Sequence, residues 1–286
     1  MVAHRARCFL TGLASLLVVA CGSGDEQPAP AAGAPSSPSA PAETAAPAAE
    51  SHGGRASKTG PAESLGEEPF DSAELGALHG EIRFSGEPPE RFALGAASSK
   101  ECSHHANVDQ RANEVVVNDG KLVNAYVYLK SGYDAARIPP PAATTATLEQ
   151  QGCMYVPRVL AVRAGTTLQV ANGDPTSHNV HTRGKRNPEM NRNMGANQAP
   201  LELHLDKVER PVPFKCDIHP WMGAAVFVEE HPWFAVTDEA GRFRIPDVPP
   251  GEYVVEVIHE KLGTQRGSVT VTPGKSSGVA FTFDAD

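Results

Sequence analysis

From about Ala77 to Asp286 the apolar residues fall in short alternating or β-branched runs separated by turn residues, the period-two pattern of strands with one buried face. The pattern predicts strands over Leu78–Phe84, Glu114–Val117, Ala125–Leu129, Thr145–Glu149, Val159–Arg163, Thr167–Asn172 and Leu201–Leu205. It continues over Val212–Lys215, Gly223–Val228, Trp233–Thr237, Gly241–Ile245, Gly251–His259, Thr264–Val271 and Ser277–Phe283. Asn118-Asp119-Gly120 and Asp238-Glu239-Ala240-Gly241 have the composition of hairpin turns. No segment keeps a helical period over three turns. About 210 residues of this kind are expected to build an all-β protein of one large or two ordinary sandwiches.

The preceding stretch is different. Gly22 to about Leu75 is rich in Ala, Pro, Ser, Gly and Glu and nearly free of large apolar residues before Leu65 and Phe70. Such a composition cannot bury enough surface to offset its ordering entropy, so a flexible tether is expected, with ends about 40 Å apart. Ahead of it, Arg5 and Arg7 precede an apolar run from Cys8 to Val19, too short for a bilayer span and suited to a secretory signal. Leu17-Val18-Val19-Ala20-Cys21-Gly22 looks like a bacterial lipobox, which makes Cys21 the expected lipidation site. Gly22 at the next position, with no Asp, points to the periplasmic face of the outer membrane.

The formal charge is −9, from 25 cations and 34 anions. Removing Arg5 and Arg7 with the signal leaves 23 cations and takes it to −11. So acidic a chain has no basic footprint for nucleic acid. Of five cysteines, Cys8 leaves with the signal and Cys21 is lipidated, leaving Cys102, Cys153 and Cys216. If Cys216 is a metal thiolate, Cys102 and Cys153 are free to form a disulfide in an oxidising compartment; the alternative is two unpaired buried thiols.

Cys216 stands in Phe214-Lys215-Cys216-Asp217-Ile218-His219-Pro220-Trp221-Met222, which places a thiolate, an imidazole and a thioether at Cys-x2-His-x2-Met spacing. Ser177-His178-Asn179-Val180-His181 adds a second imidazole from a neighbouring strand end. Two imidazoles, a thiolate and a weak thioether are the donor set of a trigonal copper site with a long axial Met, so His178, Cys216, His219 and Met222 are the candidate ligands. His219 is the expected electron port, with Pro220 and Trp221 as an apolar docking collar. A rival reading uses His178, His181, Cys216 and His219 as a tetrahedral zinc set, but it leaves Met222 unexplained and needs both His178 and His181 turned inward. Cys102-Ser103-His104-His105 reads as a disulfide half with exposed imidazoles rather than a second metal site. Met190 and Met194 are expected in a loop across the site, and His204, His231 and His259 read as core or surface residues. No Ser/His/Asp set, phosphate loop or catalytic carboxylate pair is present, which argues against an enzyme.

Residues 145–231 resemble the cupredoxins, amicyanin most of all. Arg163-Ala164-Gly165-Thr166-Thr167-Leu168-Gln169-Val170-Ala171-Asn172 looks like the family's V-x-x-G-D-T-V-x-x-x-N strand pair, with Thr166 where an acidic residue is common. His178-Asn179-Val180-His181 and the Cys216–Met222 loop are similar to its two ligand motifs, with Phe214 in place of Tyr. The resemblance implies one type 1 copper held by His178, Cys216, His219 and Met222, with Asn179 tying the ligand loops together. Ala235 to Tyr253 resembles the transthyretin-like regulatory sandwich of carboxypeptidases, through Thr237-Asp238-x2-Gly241-x-Phe243-x-Ile245 and Pro249-x-Gly251-x-Tyr253. His79–Phe84 and Val123–Leu129 resemble that module's opening strands.

The expected organisation is therefore a signal at 1–20, a lipidated tether at 21–76, and a transthyretin-like sandwich split between 77–135 and 232–286. A cupredoxin segment at 136–231 is inserted in it or packed on it. This composite resembles bacterial lipoproteins of the methylamine-utilisation type. The implied role is a membrane-anchored electron carrier serving a periplasmic redox partner. The alternatives are a non-redox carbohydrate- or protein-binding module, or a copper storage or delivery protein.

Overall fold

The structure, a computed structural model, describes residues 62–69, 73–103 and 107–285. The predicted signal, Cys21 and most of the tether lie outside the described residues, as do His104 and His105. No helix among the described residues is long and apolar enough to cross a membrane.

Alternation decides which way most strands face. In Leu201–Leu205 the three leucines are buried while Glu202 and His204 face out, as a two-residue period demands when one face is covered. The strand pairs with Thr166–Asn172, which runs parallel to Thr145–Gln151, and Met154–Val156 completes a four-stranded sheet. A five-stranded sheet faces it, in the order Met190–Met194, His178–Thr182, Glu209–Lys215, Gly223–Glu229 and Val159–Arg163. Leu148, Leu168, Val170, Val180, Val212 and Val226 fill the space between them, each fully buried.

Strands from both ends of the chain build the other two sheets. Gly76–Ser85 lies between Lys275–Asp284, its parallel neighbour, and Arg242–Val248; Lys121–Leu122 and Val117–Asn118 continue from it. The facing four-stranded sheet runs Phe234–Val236, Tyr126–Ser131, Gly251–His259, Gly263–Val271. Leu78, Ile82, Leu129, Ile245, Val255 and Val257 pack between these layers. Residues 145–229 thus supply one pair of sheets, and residues on either side of them in the chain supply the other.

Tyr126–Ser131 and Gly223–Glu229 read as nearly unbroken apolar runs because both faces are covered. Tyr126–Ser131 turns Val127 and Leu129 into its own sandwich and points Tyr126 and Tyr128 at Val159, Ala225 and Phe227 of the five-stranded sheet. Tyr126 stacks on Phe227 with ring centroids 4.2 Å apart. At the rim of this joint Glu229, fully buried, takes Arg210 through Nε at 2.6 Å and Nη2 at 2.5 Å, and the Tyr126 hydroxyl at 3.1 Å. The Arg210 guanidinium also lies 4.4 Å from the Tyr128 ring centroid.

Several segments depart from the pattern-based reading: the strand expected over Glu114–Val117 is found at Val117–Asn118, and Met154–Val156 and His178–Thr182 are strands that the pattern does not predict. Glu63–Pro69, assigned to the tether by composition, is a strand pairing antiparallel with Lys275–Asp284; main-chain pairing at a sheet edge needs no apolar side chains. Met190–Met194, expected as a loop, is a strand pairing with His178–Thr182. Its alternate Asn191 and Asn193 carry no hydrophobic period to announce it.

Replacing Arg210 with Ala leaves the Glu229 carboxylate buried without its cation, and a loss of about 3–5 kcal/mol is expected. The midpoint of chemical denaturation checks this, and an unchanged midpoint would mean that the pair adds nothing to the joint.

Candidate metal centre

The candidate donors collect at one end of the sandwich formed by residues 145–229. Cys216 to Met222 is the turn between Glu209–Lys215 and Gly223–Glu229. It closes on itself, with Cys216 N donating to Met222 O at 3.2 Å and Met222 N to His219 O at 2.9 Å. His178 opens the adjacent strand, which pairs with the cysteine strand through His181 opposite Lys215. Register therefore carries the first imidazole to the thiol. The sulfur of Cys216, one nitrogen of His178 and one of His219 all lie within 4.8 Å of one another. His178 Nδ1 is 3.0 Å from His219 Nδ1, which is 4.0 Å from Cys216 Sγ. His178, Cys216 and Met222 are buried, and His219 is half-buried.

Asn179 joins the two ligand segments. Its backbone N–H donates to Cys216 Sγ at 3.3 Å, and its side-chain oxygen accepts from Asp217 N at 3.3 Å. Its amide nitrogen donates to Asn191 at 2.6 Å and to Asn193 at 3.3 Å, the two residues that turn the 190–194 strand toward the site. The Tyr155 hydroxyl reaches Asn179 O and Lys215 O at 3.3 and 3.4 Å, linking the same two strands from within the core.

The electrostatics favour the ligand-competent forms of Cys216 and His219, and pull His178 the other way, toward its protonated form. Burial pushes the Cys216 thiol up, but His178 and the backbone N–H groups of Asn179, His219 and Ile218 outweigh it and hold the thiol below its usual value. Burial pushes the Asp174 carboxyl up as well; the hydrogen bonds from His178, Cys153 N and Gly152 N prevail and lower it. Burial pulls His178 down, and Asp174 with Cys216 more than offsets this. His219 is lowered by its burial and by the neighbouring His178. Asp174 accepts from His178 Nε2 at 2.8 Å, with both side chains fully buried, so that Nδ1 is the nitrogen left for an ion.

The donor set fits a transition metal. Two imidazole nitrogens 3.0 Å apart can each lie about 2.0–2.1 Å from one ion, and a sulfur 4.0 Å from one of them is still within reach of a metal–thiolate bond of about 2.3 Å. Met222 is buried in the same apolar cluster as Cys216 and offers a soft neighbour.

His181 does not join the donors: its Nδ1 bonds Asp217 at 2.7 Å and its Nε2 approaches Glu189 at 3.4 Å, so the rival zinc set is not assembled. His219, the expected port, is half-buried, and its Nε2 edge faces a disulfide. Cys102 and Cys153 form a disulfide, and their sulfurs lie 4.0 and 3.9 Å from His219 Nε2. The reason is a preceding segment folded over the ligand loop. A Cβ on Gly95 would sit 2.4 Å from the Trp221 ring, and Ala96 is fully buried in the cluster that holds Cys216 and Met222. Trp221, half-buried, donates its indole N–H to Cys153 O at 3.1 Å; Pro220 and Ile218 stay exposed. Met194 is buried opposite His178 and Pro213 is exposed. His204 is exposed, while His231 and His259 are buried.

Sequence reasoning missed Asp174 and the wider role of Cys153. Cys153 N and Gly152 N donate to Asp174 at 2.9 and 2.6 Å, so the disulfide loop also orients His178. Asp174, four residues before a strand-borne His, has no periodic signature.

Residues 218–284 match the family model described as the carboxypeptidase regulatory-like domain. No curated protein sequence matches the chain. Among solved structures, a purple cupredoxin from Nitrosopumilus maritimus is 20% identical over 29% of this chain and 99% of its own, with a TM-score of 0.26. Amicyanin from Paracoccus versutus is 22% identical over 36% of this chain and 97% of its own, at 0.27. A copper-containing nitrite reductase from Thermus scotoductus is 16% identical over 52% of this chain and 28% of its own, at 0.28.

Replacing Asp174 with Ala frees the His178 ring, and metal affinity is expected to fall about 10–100-fold. Competition against a chelator measures it; unchanged affinity would show that strand packing alone orients the imidazole.

Proposed function

We propose that this chain is a type 1 copper protein that carries single electrons between redox partners of the cell envelope. The observation behind this reading is the convergence of the His178, Cys216 and His219 donors within 4.8 Å at a largely buried strand end. Bound copper would supply the one-electron couple. The chain's own residues hold the donors in place. Asp174 orients His178, Asn179 ties His178 to the cysteine loop, and the N–H groups of Asn179 and His219 at 3.3 and 3.4 Å favour Cys216 as thiolate. Met222 is the soft axial candidate. Donors held this rigidly suit a carrier, which gains from little ligand movement between oxidation states.

Most of the donor set is sheltered: His178, Cys216 and Met222 are buried, and the disulfide lies against the Nε2 edge of half-buried His219. The lipobox around Cys21 and the signal before it support a lipid-anchored, periplasm-facing placement at the outer membrane, and a disulfide fits an oxidising compartment. The carboxypeptidase regulatory-like strands are read as the scaffold that presents the metal-bearing sandwich.

The purified protein titrated with Cu(II) is expected to develop an intense visible charge-transfer band and narrow copper hyperfine splitting in EPR, at one equivalent. Both are expected to vanish in Cys216→Ala. A colourless protein that takes up one zinc, or no metal, would remove the electron-carrier reading.

A further inference from the structure

The imidazole of His219 lies between two sets of soft donors. Its Nδ1 faces His178 and Cys216. Its Nε2 faces the sulfurs of Cys102 and Cys153, at 4.0 and 3.9 Å. Both cysteines are fully buried. The two sulfurs and the His219 nitrogen lie within 4.8 Å of one another. As a disulfide the sulfurs are poor ligands; as thiolates they are strong ones.

We propose that reduction of the Cys102–Cys153 disulfide creates a second metal site, for Cu(I), built from Cys102 Sγ, Cys153 Sγ and His219 Nε2. The reductant is a dithiol small enough to reach two buried sulfurs. It supplies two electrons and two protons, its own sulfurs become a disulfide, and the Cys102–Cys153 bond becomes two thiols. Cu(I) then displaces the two thiol protons, which leaves the site with one net negative charge. Where a first copper already holds Nδ1, the Nε2 proton of His219 leaves as well and the ring bridges the two ions as an imidazolate.

The two thiols stay together after the S–S bond breaks, because other bonds hold their loops. Gln110 Nε2 donates to Cys102 O and to Gly152 O, both at 2.7 Å, and so spans the two loops. Trp221 holds Cys153 O, and Asp174 holds the N–H groups of Gly152 and Cys153. Gly95 and Ala96 keep the Cys102 segment seated on the ligand loop. The pocket is thus formed before the metal arrives, which lowers the cost of binding.

The donor count and character select the ion. Two thiolates and one imidazole are a soft set that suits Cu(I). Structural zinc takes four ligands, and the nearest further candidate, Asp174, already accepts from His178, Gly152 and Cys153. This inference goes beyond the electron-carrier reading and does not require it, because Nε2 is separate from the Nδ1 used there.

The test is an anaerobic Cu(I) titration of the full-length protein against bicinchoninate, with the disulfide intact and after reduction with a phosphine. Reduction is expected to raise the stoichiometry by one equivalent. The gain is expected to disappear in Cys102→Ser and Cys153→Ser and to persist in Cys216→Ser. Equal stoichiometry in the two states, or a gain that survives in Cys102→Ser, would overturn the proposal. Should the serine variants not fold, wild-type protein reduced and then alkylated serves instead, and a retained extra equivalent overturns the proposal in the same way. If the electron-carrier reading alone is wrong, the intact form takes up no copper while the gain of one on reduction remains.

Discussion

Asp174, His178 and Cys216 are buried at the end of an otherwise apolar sandwich, and burying polar groups is tolerable only when each has a partner. Much of the local structure answers that requirement. Asp174 takes two backbone N–H groups and the His178 ring; Cys216 takes the N–H groups of Asn179 and His219. Asn179 reaches the cysteine loop on one side and Asn191 and Asn193 on the other. The same bonds that make the burial possible fix the directions of the donor atoms, so folding and site organisation share one network.

Cys153 lies at the centre of that network through four contacts. Its N–H supports Asp174, its carbonyl receives Trp221, its sulfur touches His219, and its covalent bond holds the segment that carries Gly95 and Ala96. Both imidazoles therefore answer to one loop, His178 through Asp174 and His219 by direct contact. That loop belongs to the same sheets as the donors, while Cys102 arrives from outside them. The disulfide thus joins the sandwich that holds the candidate donors to the chain that precedes it, and the Tyr126–Phe227 stack with the Tyr126–Glu229 hydrogen bond joins them at a second place.

The alternation of leucines and polar residues in Leu201–Leu205 was sufficient to place its inward face. The double-sided burial of Tyr126–Ser131 was only hinted at, since an unbroken apolar run does not say what covers its second face. Glu63–Pro69 and Met190–Met194 escaped notice because edge pairing uses main-chain groups and leaves side-chain composition free.

The sequence by itself determined the all-β class and the identities of the candidate donors. Strand periodicity is a local property, and Cys-x2-His-x2-Met lies within a single turn. The tertiary structure supplied what holds His178, rather than His181, at the thiol. His181 and His178 share a strand, but register and the Asp217 partner draw His181 away, while Asp174 holds His178 in place. Only the tertiary structure turned the outer edge of His219 toward a disulfide, because that contact joins residues 117 and 66 positions apart. Long-range pairing depends on how sheets stack and loops cross, and no local pattern of residues carries that information.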